Sequence, residues 1–159
     1  MKRLCIIPCG AKKVWDKKPD AGPTEAENVY IGSFHNSCQN YASRFFEHWV
    51  ILSAKHGFLF PQDMIHSNYN VAFNSKSPEI ISIDKLKQQI PEKKLADFDE
   101  LVVLGGKKYR KVVEQAFGSN YSYKYPLNDC KGIGYMLQKL NNSLLINKEI
   151  TDSSKENKY

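Results

Sequence analysis

The chain has 159 residues, of which 42% are hydrophobic, 25% charged and 12% aromatic, with a formal net charge of +6 at pH 7. This profile suits one globular domain and excludes a disordered, collagenous or coiled-coil chain. No apolar run approaches the ~20 residues that cross a bilayer, and the opening apolar stretch is too short for a signal peptide, so a cytoplasmic protein without a membrane partner is expected.

In chain order, Arg3–Pro8 (RLCIIP) is a nearly continuous apolar run, as a strand buried on both faces requires. Residues 16–28 carry Pro, Gly, Lys and Glu and read as a loop. From Ser33, a plausible N-cap, Phe34, Cys38, Tyr41, Phe45 and Trp49 recur at helical spacing. Trp49–Ser53 (WVILS) reads as a second buried strand. Residues 57–82 show no period, and a loop of that length inside a domain is often functional. A short amphipathic helix over 83–90 ends near Pro91, and 100–104 (ELVVL) is a third buried strand. A helix over 107–117, a more exposed strand over 121–125 and a last helix over 134–146 follow.

Strands alternating with amphipathic helices predict a single α/β domain over residues 1–148. We expect a three-layer sandwich: a four-stranded, mainly parallel sheet in the order 2-1-3-4, with helices on both faces. Residues 149–159 are expected to form a disordered polar tail.

Open α/β sheets bind ligands beyond the carboxyl ends of their strands. The four strands are followed by Cys9-Gly10-Ala11-Lys12-Lys13, by Ser53-Ala54-Lys55-His56-Gly57, by Gly105-Gly106-Lys107-Lys108-Tyr109, and by a segment holding Lys131, Gly132 and Gly134. Small residues that admit a close backbone, helix N-termini and lysines together describe a cleft for an anionic group. Charge agrees: residues 1–18 hold Lys2, Arg3, Lys12, Lys13, Lys17 and Lys18 against the single acidic Asp16. Neither a P-loop nor a dinucleotide fingerprint is present, and Gly105 with Gly106 equally suits a tight strand-to-helix turn.

Cys9 is the candidate nucleophile, because basic neighbours stabilise a thiolate. His56 is the candidate general acid/base and Lys55 completes the catalytic set. Each has a plainer reading, Cys9 as a small turn residue and His56 as a histidine bonded to backbone. Ligand contacts are expected from Gly10, Lys12, Lys13, Tyr30, Ser33, Ser53, Tyr69, Gly105, Gly106, Tyr109, Lys131, Gly132 and Gly134. Cys5 and Cys38 read as core. With Cys130 they form no C-x-x-C pair, so neither a metal nor another cofactor is expected.

The strings C-G-x-K-K (Cys9 to Lys13), S-A-K-H-G-F-L (Ser53 to Leu59), L-G-G-x-x-Y (Leu104 to Tyr109) and G-I-G (Gly132 to Gly134) resemble a small bacterial and phage family of unknown function. More distantly, Pro8, Cys9 and Lys13 are similar to the P-C-x-x-x-K of the archaeosine synthase catalytic module, whose fold is like that of uracil-DNA glycosylase. Val14 and Trp15 stand where that module has Pro-Tyr. The resemblance implies nucleobase or nucleoside chemistry. The expected function is an enzyme that modifies a nucleotide, nucleoside or nucleic-acid base, or acts at its N-glycosidic bond. The alternative is a non-catalytic nucleotide- or nucleic-acid-binding protein. A nucleotide-like anionic small molecule is the expected partner, with nucleic acid as the second candidate.

Overall fold

The apolar runs adopt extended backbone and bury nearly every side chain, which only a sheet covered on both faces permits. The computed structural model describes residues 1–151. In chain order the elements are β1 (Arg3–Pro8), α1 (Val14–Lys17), β2 (Thr24–Glu25), α2 (Ala26–Val29), α3 (Ser33–Phe45), β3 (Trp49–Ser53), β4 (Gly57–Leu59), β5 (Met64–Ile65), α4 (Ile83–Glu92), β6 (Glu100–Val103), α5 (Lys107–Phe117), β7 (Ser122–Lys124) and α6 (Ile133–Ile146).

The main sheet has five strands in the order β4-β3-β1-β6-β7. β1 pairs in parallel with both β3 and β6, and β6 with β7, whereas β4 pairs antiparallel with β3. Five strands replace the expected four, and the order changes because β4 adds an edge beyond β3. A turn through Ala54–His56 returns the chain, and Gly57 takes φ +78°, where only glycine is unstrained. The chain crosses from β1 to β3 through α3, then back across β1 to β6 through α4. Right-handed crossovers therefore set these helices on opposite faces. α6 packs on α3, and α5 packs on α4 and β6.

Residues 16–28, expected as loop, contain the end of α1, then β2 and α2, with β2 paired antiparallel to β5. These elements span two to four residues, too few to show a period. The N-cap of α3 is Gly32, not Ser33, and no side chain caps it. Trp49 belongs to β3 and not to the helix. Of the expected tail, Glu149 bonds Arg3 and the Ile150 N–H donates to Tyr41 Oη at 3.0 Å. Residues 152–159 lie outside the described residues. Among the described residues, no helix is long and apolar enough to cross a membrane.

Candidate functional site

Three strand ends meet in a polar cluster. β1 runs out at Pro8 and delivers Cys9, which is half-buried, beside Tyr109 of α5: Cys9 Sγ and Tyr109 Oη stand 3.2 Å apart. Gly105 makes this approach feasible. Its φ of +113°, a conformation that side chains rarely adopt, turns the chain sharply from β6 into α5, and a Cβ there would lie in van der Waals contact with Tyr109 and Pro8. Gly106 then caps α5 without a side-chain partner.

β3 ends at Ser53, which is fully buried. Its Oγ accepts the N–H groups of Lys55 at 3.2 Å and His56 at 3.1 Å, and lies 2.8 Å from Tyr69 Oη. Tyr69 Oη in turn bonds Tyr30 Oη. Tyr30 is positioned by the bridge between Lys13 and Tyr30, which follows α2. Tyr69 arrives on the segment after β5, where Val71 and Phe73 are also buried and Phe73 packs edge-on against Tyr109.

Lys13 is the least ordinary member. It is only 3% exposed, and among the described residues its ammonium donates to a single acceptor, Ala11 O at 3.1 Å. The Nζ sits 4.3 Å from the centre of the Tyr69 ring and 6.0 Å from that of Tyr30. Burial pulls its pKa below the ordinary lysine value, and the neighbouring Cys9 and Asp16 offset part of that. Sequence reasoning places Lys13 beside Lys12 as a contact to an anionic ligand. The bridge to Tyr30 buries it, while Lys12 stays exposed.

The tyrosines respond to the same enclosure. Burial, with Cys9 as the next cause, pushes Tyr109 far above its ordinary value. Tyr30 rises far as well, by burial and then by Tyr69. Tyr69 is pushed up only to about 12, by burial and then by Cys9, because its hydrogen bonds with Ser53 and Tyr30 offset part of that rise. Cys9 appears as an electrostatic neighbour of Lys13, Tyr30, Tyr69 and Tyr109, so these groups form one cluster.

His56 packs edge-on against Tyr69, with ring centres 5.0 Å apart. Its Nε2 is enclosed and has no hydrogen-bond partner among the described residues. Burial, then the Lys55 and His66 charges, hold its pKa below 6.5, so the imidazole is neutral at pH 7. Lys55 reaches Glu79 at 3.4 Å and lies 5.8 Å from the Tyr69 ring centre. Gly10 lies over His35 and Tyr30. Ser33 is exposed at the start of α3.

The fourth strand end stands apart from these contacts. Lys131 lines a depression of about 600 Å³ with Asp129, Cys130, Tyr135 and Lys139, and none of its lining residues belongs to the tyrosine cluster. Gly132 and Gly134 open α6 with free space where a Cβ would stand, so no close backbone approach within the fold requires them. A second cavity, of about 440 Å³, adjoins the cluster and is lined by Ala11, Asp16, Asn68, Tyr69 and Asn70.

Sequence reasoning missed Asp16. One carboxylate oxygen accepts the Lys13 N–H at 2.8 Å and the other accepts Asn68 Nδ2 at 3.2 Å, fastening the later segment to the first loop. The signal was available in its position three residues after Lys13, the spacing at which an acidic side chain caps the start of a helical turn.

The model of a family of unknown function, DUF6884, matches residues 4–142. The chain belongs to that family. A Bacillus subtilis (strain 168) protein described as "Uncharacterized protein YfjM" is 55% identical over 144 residues, which cover 91% of this chain and 96% of the relative. The stretch matched by the family model runs from β1 into α6, so it contains every member of the tyrosine cluster. This agrees with the family of unknown function expected from the motifs.

Proposed function

We propose that the protein is an enzyme acting on a nucleotide, nucleoside or nucleic-acid base, by modification of the base or by chemistry at its N-glycosidic bond, with the cluster around Cys9 as its active site. The observation that carries this reading is the company Cys9 keeps. A half-exposed thiol at a strand's carboxyl end adjoins a buried lysine whose ammonium has one acceptor among the described residues, together with three tyrosines. Enclosing a lysine with one hydrogen-bond acceptor among the described residues costs desolvation free energy that this bond and the faces of Tyr69 and Tyr30 return only in part. A ligand that accepts from it returns the rest.

In this reading Cys9 is the nucleophile and Lys13 supplies countercharge. Tyr30 and Tyr69 contact the base or sugar, and the exposed Lys12 meets phosphate at the rim. His56, neutral at pH 7, keeps the acid/base role, and Lys55 holds the anionic part beside it. The distant likeness of Pro8, Cys9 and Lys13 to the archaeosine synthase module supports the same substrate class.

The test is a panel of nucleotides, nucleosides and free bases assayed for product formation with wild type, Cys9→Ala and His56→Ala. Cys9→Ala is expected to lower turnover by about 10²-fold or more, the scale on which a nucleophile acts. Unchanged turnover in Cys9→Ala overturns the role of Cys9.

A second reading, a non-catalytic nucleotide- or nucleic-acid-binding protein, is favoured by the exposed Lys12, Lys17 and Lys18 beside the site. It requires nucleic-acid affinity that falls steeply with salt through counterion release, without any product.

A further inference from the structure

The outward face of α6 differs in kind from those of the other long helices around it. α4 presents Asp84, Lys85 and Lys87 to solvent, and α5 presents Lys107, Lys111 and Glu114. Charge of this sort is what a solvated helix face ordinarily carries. Every exposed residue of α6 is uncharged. Its one charged residue, Lys139, is partly buried and held by Asp129 at 2.8 Å. Among the described residues, four of the six exposed large hydrophobic side chains lie on this one helix: Ile133, Tyr135, Leu145 and Ile146. Leu145 is 84% exposed and Tyr135 64%, which a monomer has no reason to favour so close together.

Packing within the fold does not use this face. Met136, Leu140 and Ser143 are the buried residues of α6, and the helix packs on α3. Gly134, Tyr135, Gln138, Asn142 and Leu145 recur at helical spacing on the opposite side. Apolar residues stand at both ends of this stripe and amides in its middle, so it looks much the same reversed end for end.

We infer that the stripe is a dimer interface, occupied by the α6 of a second copy of this chain running antiparallel to it. A two-fold axis pairs a surface with itself, and a stripe that survives reversal is what such an axis requires. With the axis level with Leu140, Tyr135 meets the partner's Leu145, Gly134 meets the partner's Ile146, and Gln138 meets the partner's Asn142. Gly134 has open space where a Cβ would stand, which leaves room for the isoleucine. Each amide carries donors and an acceptor, so the central pair is satisfied in either direction. The depression of about 600 Å³ beside Tyr135, Gln138 and Asn142 lies where the partner's Leu145 arrives.

Electrostatics favour the same occupant. The chain carries a net charge of +6, yet this face sets no exposed charge against its copy. α6 has no acidic residue in its first turn and no basic residue in its last, so its own side chains leave both ends of its dipole unmatched. An antiparallel copy lays the positive end of each helix beside the negative end of the other. The stripe holds far fewer residues than the roughly 20–30 a side of a standard interface, so the dimer is weak and reversible. No member of the Cys9 cluster lies on α6, and the pairing is independent of the chemistry there.

Sedimentation equilibrium of the full chain from about 5 to about 500 µM, the range of weak association, tests the inference. Wild type is expected to pass from monomer to dimer within that span. Leu145→Glu and Tyr135→Lys are each expected to weaken association about tenfold or more. Both side chains are exposed, and thermal unfolding at the lowest concentration separates lost association from lost folding. An equimolar mixture of the two variants is expected to associate about fivefold tighter than either alone. The mixed dimer keeps one native contact between Tyr135 and Leu145 and sets the introduced lysine against the introduced glutamate. Wild type that stays monomeric throughout overturns the inference and leaves the stripe to a different protein. A dimer that neither variant weakens overturns it by placing the contact on another face. A mixture no tighter than its components overturns the antiparallel register, and the inference with it.

Discussion

Individual residues carry more of this fold than their size suggests, and Gly57 with Gln89 is the clearest case. Gly57 sits at φ +78°, and a Cβ there would stand 2.3 Å from the side-chain oxygen of Gln89. Gln89 cannot move aside freely, because it accepts the Phe58 N–H at 2.9 Å and donates to His56 O at 3.0 Å. It thereby satisfies both backbone groups exposed where β3 turns into β4. Gly57→Ala combines left-handed strain of about 1–2 kcal/mol with displacement of two hydrogen bonds worth about 1 kcal/mol each. We expect a loss of about 3–4 kcal/mol, read as a lower urea midpoint with an unchanged slope. The S-A-K-H-G string marked the end of β3 in the sequence, but residues 57–82 show no period there, so the turn into β4 was not legible. The partner Gln89 was not visible, because it comes from a helix 31 residues away in sequence.

At the scale of elements, the legible parts were those long enough to show a period. The strands over 3–8 and 49–53 and the helix over 107–117 carry their pattern in their own residues, since each is buried on a fixed face. β2, β4 and β5 span two or three residues, and their conformation is decided by what they pair with. The site divides the same way. Cys9, Ser53 and Gly105 follow directly from strand ends, whereas burial of Lys13 and docking of Tyr69 depend on the irregular segments that fold over them.

α3 shows how an element's packing becomes a solution property. His35 in its first turn is 2% exposed, bonds Pro8 O at 2.8 Å and Gln39 Oε1 at 3.0 Å, and packs against Tyr30. Burial outweighs both bonds and holds its pKa below 6.5, as burial does for His56. The unfolded chain therefore takes up protons near pH 6.5 that the folded chain refuses, so stability is intact above that pH and falls as pH drops below it. The thermal midpoint is expected to stay level from pH 8 to 7 and to fall from 6.5 to 5. His35→Gln should flatten that fall, and an unchanged slope would assign the effect elsewhere.

At the scale of the whole molecule, the two ends of the sheet do different work. The carboxyl ends of β1, β3 and β6 hold the polar cluster. The amino end holds an anchor in which Arg3 Nε bonds Glu100 at 2.8 Å while its two terminal nitrogens grip the Glu149 carboxylate, one of them at 3.1 Å. This ties the chain beyond α6 back to β1 and β6. The Arg3 and Glu149 side chains are 31% and 32% exposed, so solvent screens the pair and its worth lies well below that of a buried one. The two-point geometry keeps it at the upper end of surface pairs, about 1 kcal/mol. Glu149→Ala should therefore lower unfolding free energy by about 1 kcal/mol at low salt and by less in 1 M NaCl, where charges are screened within about 3 Å. β1 separates this anchor from Cys9 by six residues, roughly 20 Å of extended chain. The substitution should accordingly leave ligand binding and any Cys9-dependent turnover unchanged. If binding falls in parallel with stability, the two ends are coupled through β1, and the strand transmits strain to the cluster instead of isolating it.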